Sequence, residues 1–92
     1  MVGERGYKNM TKNVVIKDMK GLHASLSAEI VRCASQYTSD IYLHYGKNVI
    51  DIKSILGLLS LAIPQGVEVE LEANGSDAAL ALNDIARVLG NK

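Results

Sequence analysis

The stretch Val67-Glu68-Val69-Glu70-Leu71-Glu72-Ala73 decides the fold. Apolar residues take every second position and glutamates take the others. Successive side chains of a strand point to opposite faces, so this strand has one dry face and one wet face. A strand buried on both sides would be apolar throughout. One-sided alternation belongs to an antiparallel sheet open to water on one side. Asn74-Gly75 then turns the chain. Ser76 is a natural helix N-cap, with Asp77 following in the positive first turn. Beyond it, Ala78, Leu82, Ile85 and Leu89 place one apolar stripe on a last helix.

Toward the N-terminus, Ser54 to Ala62 is helical by composition, and Pro64 and Gly66 stop it. Ile41, Leu43 and Tyr45 alternate with Tyr42 and His44 as a strand. Gly46-Lys47 reads as a two-residue turn, and Val49 to Ile52 as the return strand of a hairpin. Leu26, Ile30, Cys33 and Tyr37 recur at helical spacing opposite Ser25, Glu29, Arg32 and Gln36. This predicts an amphipathic helix of about three turns ending near Ser39-Asp40. Met19 to His23 is a loop. Val14-Val15-Ile16 is a short β-branched strand that ends at Asp18. Residues 1–11 show no periodicity and read as a loose extension before a single domain over 12–92. The predicted order is β-α-β-β-α-β-α. It gives a two-layer α/β (α+β) open-faced sandwich, in which helices cover one face of the antiparallel sheet.

Composition narrows the functions open to this fold. At 92 residues and 9.9 kDa the chain fits one domain. It leaves no room for a nucleotide-binding domain beside a substrate domain. Ten basic residues balance ten acidic ones, so the overall field draws neither nucleic acid nor an acidic membrane. Cys33 is the only cysteine, which excludes an internal disulfide and suits a reducing cytosol. The first residues lack the apolar core of a signal peptide. The greasiest stretch, Ile55 to Ile63, is interrupted by Gly57 and Ser60 and is far shorter than the ~18 residues of a membrane span. A cytoplasmic location is the expectation.

Two places invite chemistry. The first is Gly21-Leu22-His23-Ala24-Ser25. A histidine just before a helix lies beside unpaired backbone N–H groups and the positive end of the helix dipole. Such a site binds anions, so an imidazole there is suited to carry a phosphoryl group. A plain surface or capping histidine is the competing reading. Ser25 has the equally plain reading of an N-cap. The second is Ser54-Ile55-Leu56-Gly57-Leu58-Leu59-Ser60-Leu61, a helix apolar nearly all round. Ile55, Leu58 and Ala62 form one stripe and Leu56, Leu59 and Ile63 its neighbour. If the first faces the core, the second is partly exposed and marks a partner site. Otherwise both stripes are core. Ser54 is an N-cap, at a position where a phosphate would also be favoured. Elsewhere, His44 reads as an exposed strand residue and Cys33 as a small hydrophobe. Glu68, Glu70 and Glu72 read as a solvated strand face. No residues have metal-ligand spacing, and no cofactor motif is present.

These residues resemble the HPr family, the histidine-containing phosphocarriers of the bacterial sugar phosphotransferase system. The resemblance runs from about Asn13 to Leu89. It is carried by Gly21-Leu22-His23-Ala24, by Ile52-Lys53-Ser54-Ile55-Leu56-Gly57-Leu58-Leu59-Ser60-Leu61, and by Asn74-Gly75-Ser76-Asp77. It implies a four-stranded antiparallel sheet and a relay protein rather than a turnover enzyme. It implies that His23 accepts a phosphoryl group from Enzyme I and passes it to sugar-permease EIIA-type components. It implies that Ser54 matches the regulatory serine of Gram-positive members, the target of HPr kinase/phosphorylase. Ile55, Leu56 and Leu59 match the apolar patch that partners grip, a transcriptional regulator among them. No cofactor and a monomer are implied.

The chain departs from the family at one point. The motif continues after His-Ala with Arg-Pro-Ala, and here Ser25, Leu26 and Ser27 stand instead. A hydrogen bond to a charged group is worth roughly 1.5–3 kcal/mol, so losing the arginine weakens phosphate stabilisation by ~10- to 150-fold. Ser25 and Ser27 are the candidate weak substitutes. The same departure raises the alternative of a regulatory binding module. It would act through Ser54 and the Leu56/Leu59 patch, with His23 impaired or vestigial.

Overall fold

The edge strand that opens the fold carries Asn9, Thr11 and Asn13 on its water-facing side and Met10 and Val14 on the other, half-buried against the core. The computed structural model describes residues 8–90. Its elements are β1 (Lys8–Val15), α1 (Ala24–Ala34), β2 (Asp40–Tyr45), β3 (Asn48–Asp51), α2 (Ile55–Leu61), β4 (Glu68–Gly75) and α3 (Ala78–Gly90). The order is the predicted one. The four strands form an antiparallel sheet in the order β1-β4-β2-β3. The alternating strand β4 is therefore central, and Val69, Leu71 and Ala73 are buried beneath the helices. Glu68, Glu70 and Glu72 lie on the opposite, open face.

Strand β1 starts earlier than the sequence indicates. Residues 8–11, expected in a loose extension, pair with the end of β4, Met10 with Ala73 and Thr11 with Glu72. An edge strand with one wet face and a polar composition carries almost no apolar alternation, which hid it. The remainder of that expected extension, 1–7, lies outside the described residues.

Helix α1 stops at Ala34, short of the predicted Ser39-Asp40. Two groups draw the chain away from the helix axis. Lys53 donates from Nζ to the carbonyls of Tyr37 (3.0 Å) and Ser39 (3.1 Å). The Asp77 carboxylate accepts from the backbone N–H groups and hydroxyls of both Thr38 and Ser39. These bonds hold the Asp77 carboxyl well below its ordinary range, at about 2, with the Ser39 hydroxyl the largest cause. Beside this knot, a Cβ on Gly75 would lie 2.4 Å from the Ser39 Oγ, so only glycine allows the approach.

Helix α3 is entered from Asp77 rather than Ser76. The Asp77 carbonyl accepts from Ala81 N, which is the first intrahelical bond. Ala78, Leu82, Ile85 and Leu89 are all buried, as their spacing predicted. The aliphatic core leaves Tyr37 to a peripheral role. Its hydroxyl donates to the Asp84 carboxylate of α3, which pushes the phenol up to about 12. Among the described residues no helix is long and apolar enough to cross a membrane.

Candidate functional site

The loop between β1 and α1 is built as a backbone clamp. Gly21 N donates to the Asp18 carbonyl (2.9 Å), closing a turn, and Lys20 N donates to Asp18 Oδ1 (2.9 Å). Leu22 N then donates to the Ile63 carbonyl (2.8 Å), and the Leu22 side chain is buried. Gly21 has φ +68°, and a Cβ there would lie 2.4 Å from that same Ile63 oxygen. Left-handed backbone and close approach together require glycine. The clamp delivers His23 to the start of α1 in an extended conformation, φ −94° and ψ 179°.

His23 is the N-cap of α1, but its ring caps nothing. Its carbonyl accepts from Ser27 N (2.9 Å), so the amides of Ala24, Ser25 and Leu26 precede the first intrahelical bond. No acidic residue occupies the first turn. The helix therefore presents unpaired donors and the positive end of its dipole next to an imidazole. The ring is partly open, with 28% of its side-chain surface exposed. Its Nε2 lies 3.3 Å from Asp18 Oδ2, and Nδ1 is the nitrogen that contact leaves free. A partly exposed imidazole nitrogen beside backbone anion donors is equipped to hold a phosphoryl group.

The two serines expected to help it separate. Ser25 is in the first turn of α1 and exposed, so it is not the N-cap its composition suggested. Ser27 is wholly buried, and its Oγ has no hydrogen-bond partner. It is thereby removed from the candidate phosphate contacts. Spacing did not reveal this, because Ser27 lies one residue beyond Leu26 and the buried stripe is wide enough to take in both.

At the start of α2 the arrangement is different. The Ser54 Oγ accepts from Gly57 N (3.2 Å), an ordinary side-chain cap. Ile55, Leu56 and Leu59 are 38%, 77% and 37% exposed, and Leu58 alone in the helix is fully buried. The two stripes read from the sequence are thus redistributed. Ile63, placed with the exposed stripe, is buried, and Ile55, placed with the core, is exposed. For Ile63 the cause is Ala62, whose left-handed φ of 49° ends the helix and breaks its phase before Ile63 turns inward.

The remaining polar residues form separate clusters. His44 Nε2 is 2.7 Å from Glu72 Oε1, and Asn74 donates to Glu72 Oε2 (3.2 Å). These contacts, His44 first, lower the Glu72 carboxyl. Cys33 is half-buried, and burial raises its thiol. Among the described residues no group of three metal-ligating side chains is brought together.

The comparisons with known proteins converge on one family. The family model described as the PTS HPr component phosphorylation site matches residues 10–91. The chain belongs to the HPr family. Phosphocarrier protein HPr from Bacillus anthracis is similar to it at 32% identity and a TM-score of 0.85, over 88% of this chain and 96% of that one. HPr from Thermoanaerobacter tengcongensis is 32% identical with a TM-score of 0.83, over 87% and 90%. The catabolite repression protein Crh of Bacillus subtilis is 35% identical with a TM-score of 0.71, over 97% and 93%. That Crh structure is an intertwined, domain-swapped dimer. The HPr fold has the element order and four-stranded antiparallel sheet seen here.

Within this HPr-family chain the sequence did not single out Asp18. It was visible only as the end of the first strand. Nothing in the spacing tells that the Asp18–Gly21 turn folds the carboxylate back onto a ring five positions later. The usable signal was the combination of an acid, a turn and a glycine immediately ahead of the histidine.

Proposed function

We propose that this HPr-family protein is a cytoplasmic phosphocarrier that takes a phosphoryl group on His23 from Enzyme I and passes it to sugar-permease EIIA-type components. The observation that carries this reading is the uncapped start of α1. A partly exposed imidazole lies beside three first-turn amides that no side chain has claimed. A ring nitrogen displaces the donor at phosphorus, and the phosphoryl oxygens accept from those amides. Ser25 is exposed in the same turn and supplies a neutral donor where relatives carry arginine. The exposed Ile55, Leu56 and Leu59 offer the apolar surface on which donor and acceptor proteins dock. The test is incubation with purified Enzyme I and labelled phosphoenolpyruvate, followed by peptide mapping. An acid-labile label on His23 that chases onto an EIIA-type component supports the reading. A wild-type protein that stays unlabelled refutes it.

The presence of Ser25 where the family motif has arginine favours a second reading. Here the protein is a regulatory module phosphorylated on Ser54 by HPr kinase/phosphorylase and docking on a transcriptional regulator through Leu56 and Leu59. Ser54 is exposed at the head of that patch. Leu56→Asp abolishing regulator binding while sparing the fold supports it. Failure of the kinase and ATP to label Ser54 removes it.

A further inference from the structure

The Asp18 carboxylate beside His23 has a consequence for which nitrogen reacts. We propose that Asp18 is a positioning residue for His23, whose carboxylate keeps the ring proton on Nε2 so that Nδ1 presents the lone pair. The chemistry rests on the carrier reading above, whereas the geometry does not. Oδ2 faces Nε2 at 3.3 Å, while Oδ1 is held by Lys20 N and the Asp18 carbonyl by Gly21 N. One backbone donor thus holds the carboxylate, and a second closes the turn that carries it, so the carboxylate does not have to be ordered by the ring. A negative oxygen beside one imidazole nitrogen favours the proton at that nitrogen and fixes the tautomer. The side chains are 28% and 25% exposed, so solvent screens the contact and its effect is moderate.

The donor is a phosphorylated protein nitrogen. The Nδ1 lone pair of His23 attacks its phosphorus, the Nδ1–P bond forms, and the donor N–P bond breaks with its electron pair returning to the donor. The His23 ring, still protonated on Nε2, gains positive charge, and that charge faces the Asp18 carboxylate. The phosphoryl oxygens are attached through the other nitrogen, away from Asp18. Discharge reverses each change and returns the ring to its Nε2–H form.

Two measurements test this. The first is ¹⁵N NMR of the His23 ring at neutral pH, which needs no phosphoryl donor. Wild-type protein and Asp18→Asn, whose amide oxygen still faces Nε2, are expected to show the Nε2–H tautomer. Asp18→Ala is expected to show a mixture of tautomers. The second is labelling by phosphoramidate, a small-molecule donor, with the product nitrogen read by ¹⁵N–³¹P coupling. Wild type and Asp18→Asn are expected to carry the phosphate on Nδ1. Asp18→Ala is expected to react about two- to fivefold more slowly, the worth of a partly exposed pair, and to place part of the phosphate on Nε2. If Asp18→Ala does not fold, Asp18→Ser takes its place, because the hydroxyl keeps the turn but is too short to face the ring. A wild-type ring protonated on Nδ1, or an alanine variant with unchanged tautomer, overturns the assignment. So does an unchanged rate and product. Should phosphoramidate label no variant, the tautomer spectra alone decide. Failure of the carrier reading looks different, since Enzyme I would then leave wild type unlabelled while the tautomer still depended on Asp18.

Discussion

Helices α1 and α2 begin in opposite ways. At α2 the N-cap Ser54 turns its hydroxyl onto the Gly57 amide, and the helix start closes on itself. At α1 the N-cap His23 turns its ring away, toward Asp18, and the helix start stays open. The closed start is stable on its own terms and carries an exposed apolar face. The open start gives up capping energy and keeps its donors for another acceptor. An unfilled cap is therefore informative when the residue holding it is itself capable of chemistry. A third start, at α3, belongs to neither class. Asp77 stands there, but its carboxylate ties down Thr38 and Ser39 instead of its own helix.

The largest effect is expected from breaking the clamp that holds the open start in place. Gly21→Ala forces a Cβ to within 2.4 Å of a backbone oxygen at a left-handed φ of +68°. The left-handed backbone alone costs about 1–2 kcal/mol, and relief of the contact adds to it. A fall in Tm of at least ~8 °C is expected by calorimetry. An unchanged Tm would mean that the loop does not depend on its approach to Ile63.

Next is the buried hydroxyl behind the open start. Ser27 Oγ is sealed from solvent without a partner, and an unsatisfied buried group costs about 1–3 kcal/mol. Ser27→Ala removes it and adds helix propensity. Urea unfolding is expected to show a gain of about 1–2 kcal/mol with His23 labelling retained. A loss of stability would mean that the hydroxyl has a partner after all. The two N-caps themselves separate at the next level. Ser54→Ala loses a working cap and is expected to cost about 1 kcal/mol in the same assay. His23→Ala removes a ring that caps nothing and is expected to stay within about 0.5 kcal/mol of wild type. Equal costs would mean that the two N-caps contribute alike.

The last effect is present at neutral pH and is read by its loss in acid. The Asp77 carboxyl sits at about 2 in the folded protein, against an ordinary 3.8. A depressed carboxyl contributes stability above its unfolded value and loses it as pH falls through its folded one. Stability is therefore expected to drop between about pH 4 and pH 2 on this account, and less steeply in Asp77→Asn. Identical acid profiles would show that the Thr38–Ser39 bonds do not depend on the charge.

Much of this was legible in the sequence because it is periodic. The alternation of Val67 to Ala73 placed the central strand and its two faces. The stripe of Ala78, Leu82, Ile85 and Leu89 placed the last helix. His23 and Ser54 were found because helix starts have residue preferences that rest on local backbone chemistry. Long-range bonds were not legible. The early end of α1 follows from Lys53 and Asp77, which reach Tyr37, Thr38 and Ser39 from 14 to 39 positions away. The strand at residues 8–11 is an edge, and polar edges carry little pattern. Ile63 turned inward because one left-handed residue, Ala62, ended the helix and reset its phase. Asp18 was hidden because a turn, and not a period, brings it to the ring.

Backbone amide NMR before and after charging with Enzyme I and phosphoenolpyruvate tests the open helix start most directly. The account predicts that the Ala24, Ser25 and Leu26 amide signals move strongly as His23 takes the phosphate. The Leu56 and Gly57 signals of the closed start should stay in place. A charged protein whose α1 amides do not respond, or whose shifts gather at α2, would contradict it.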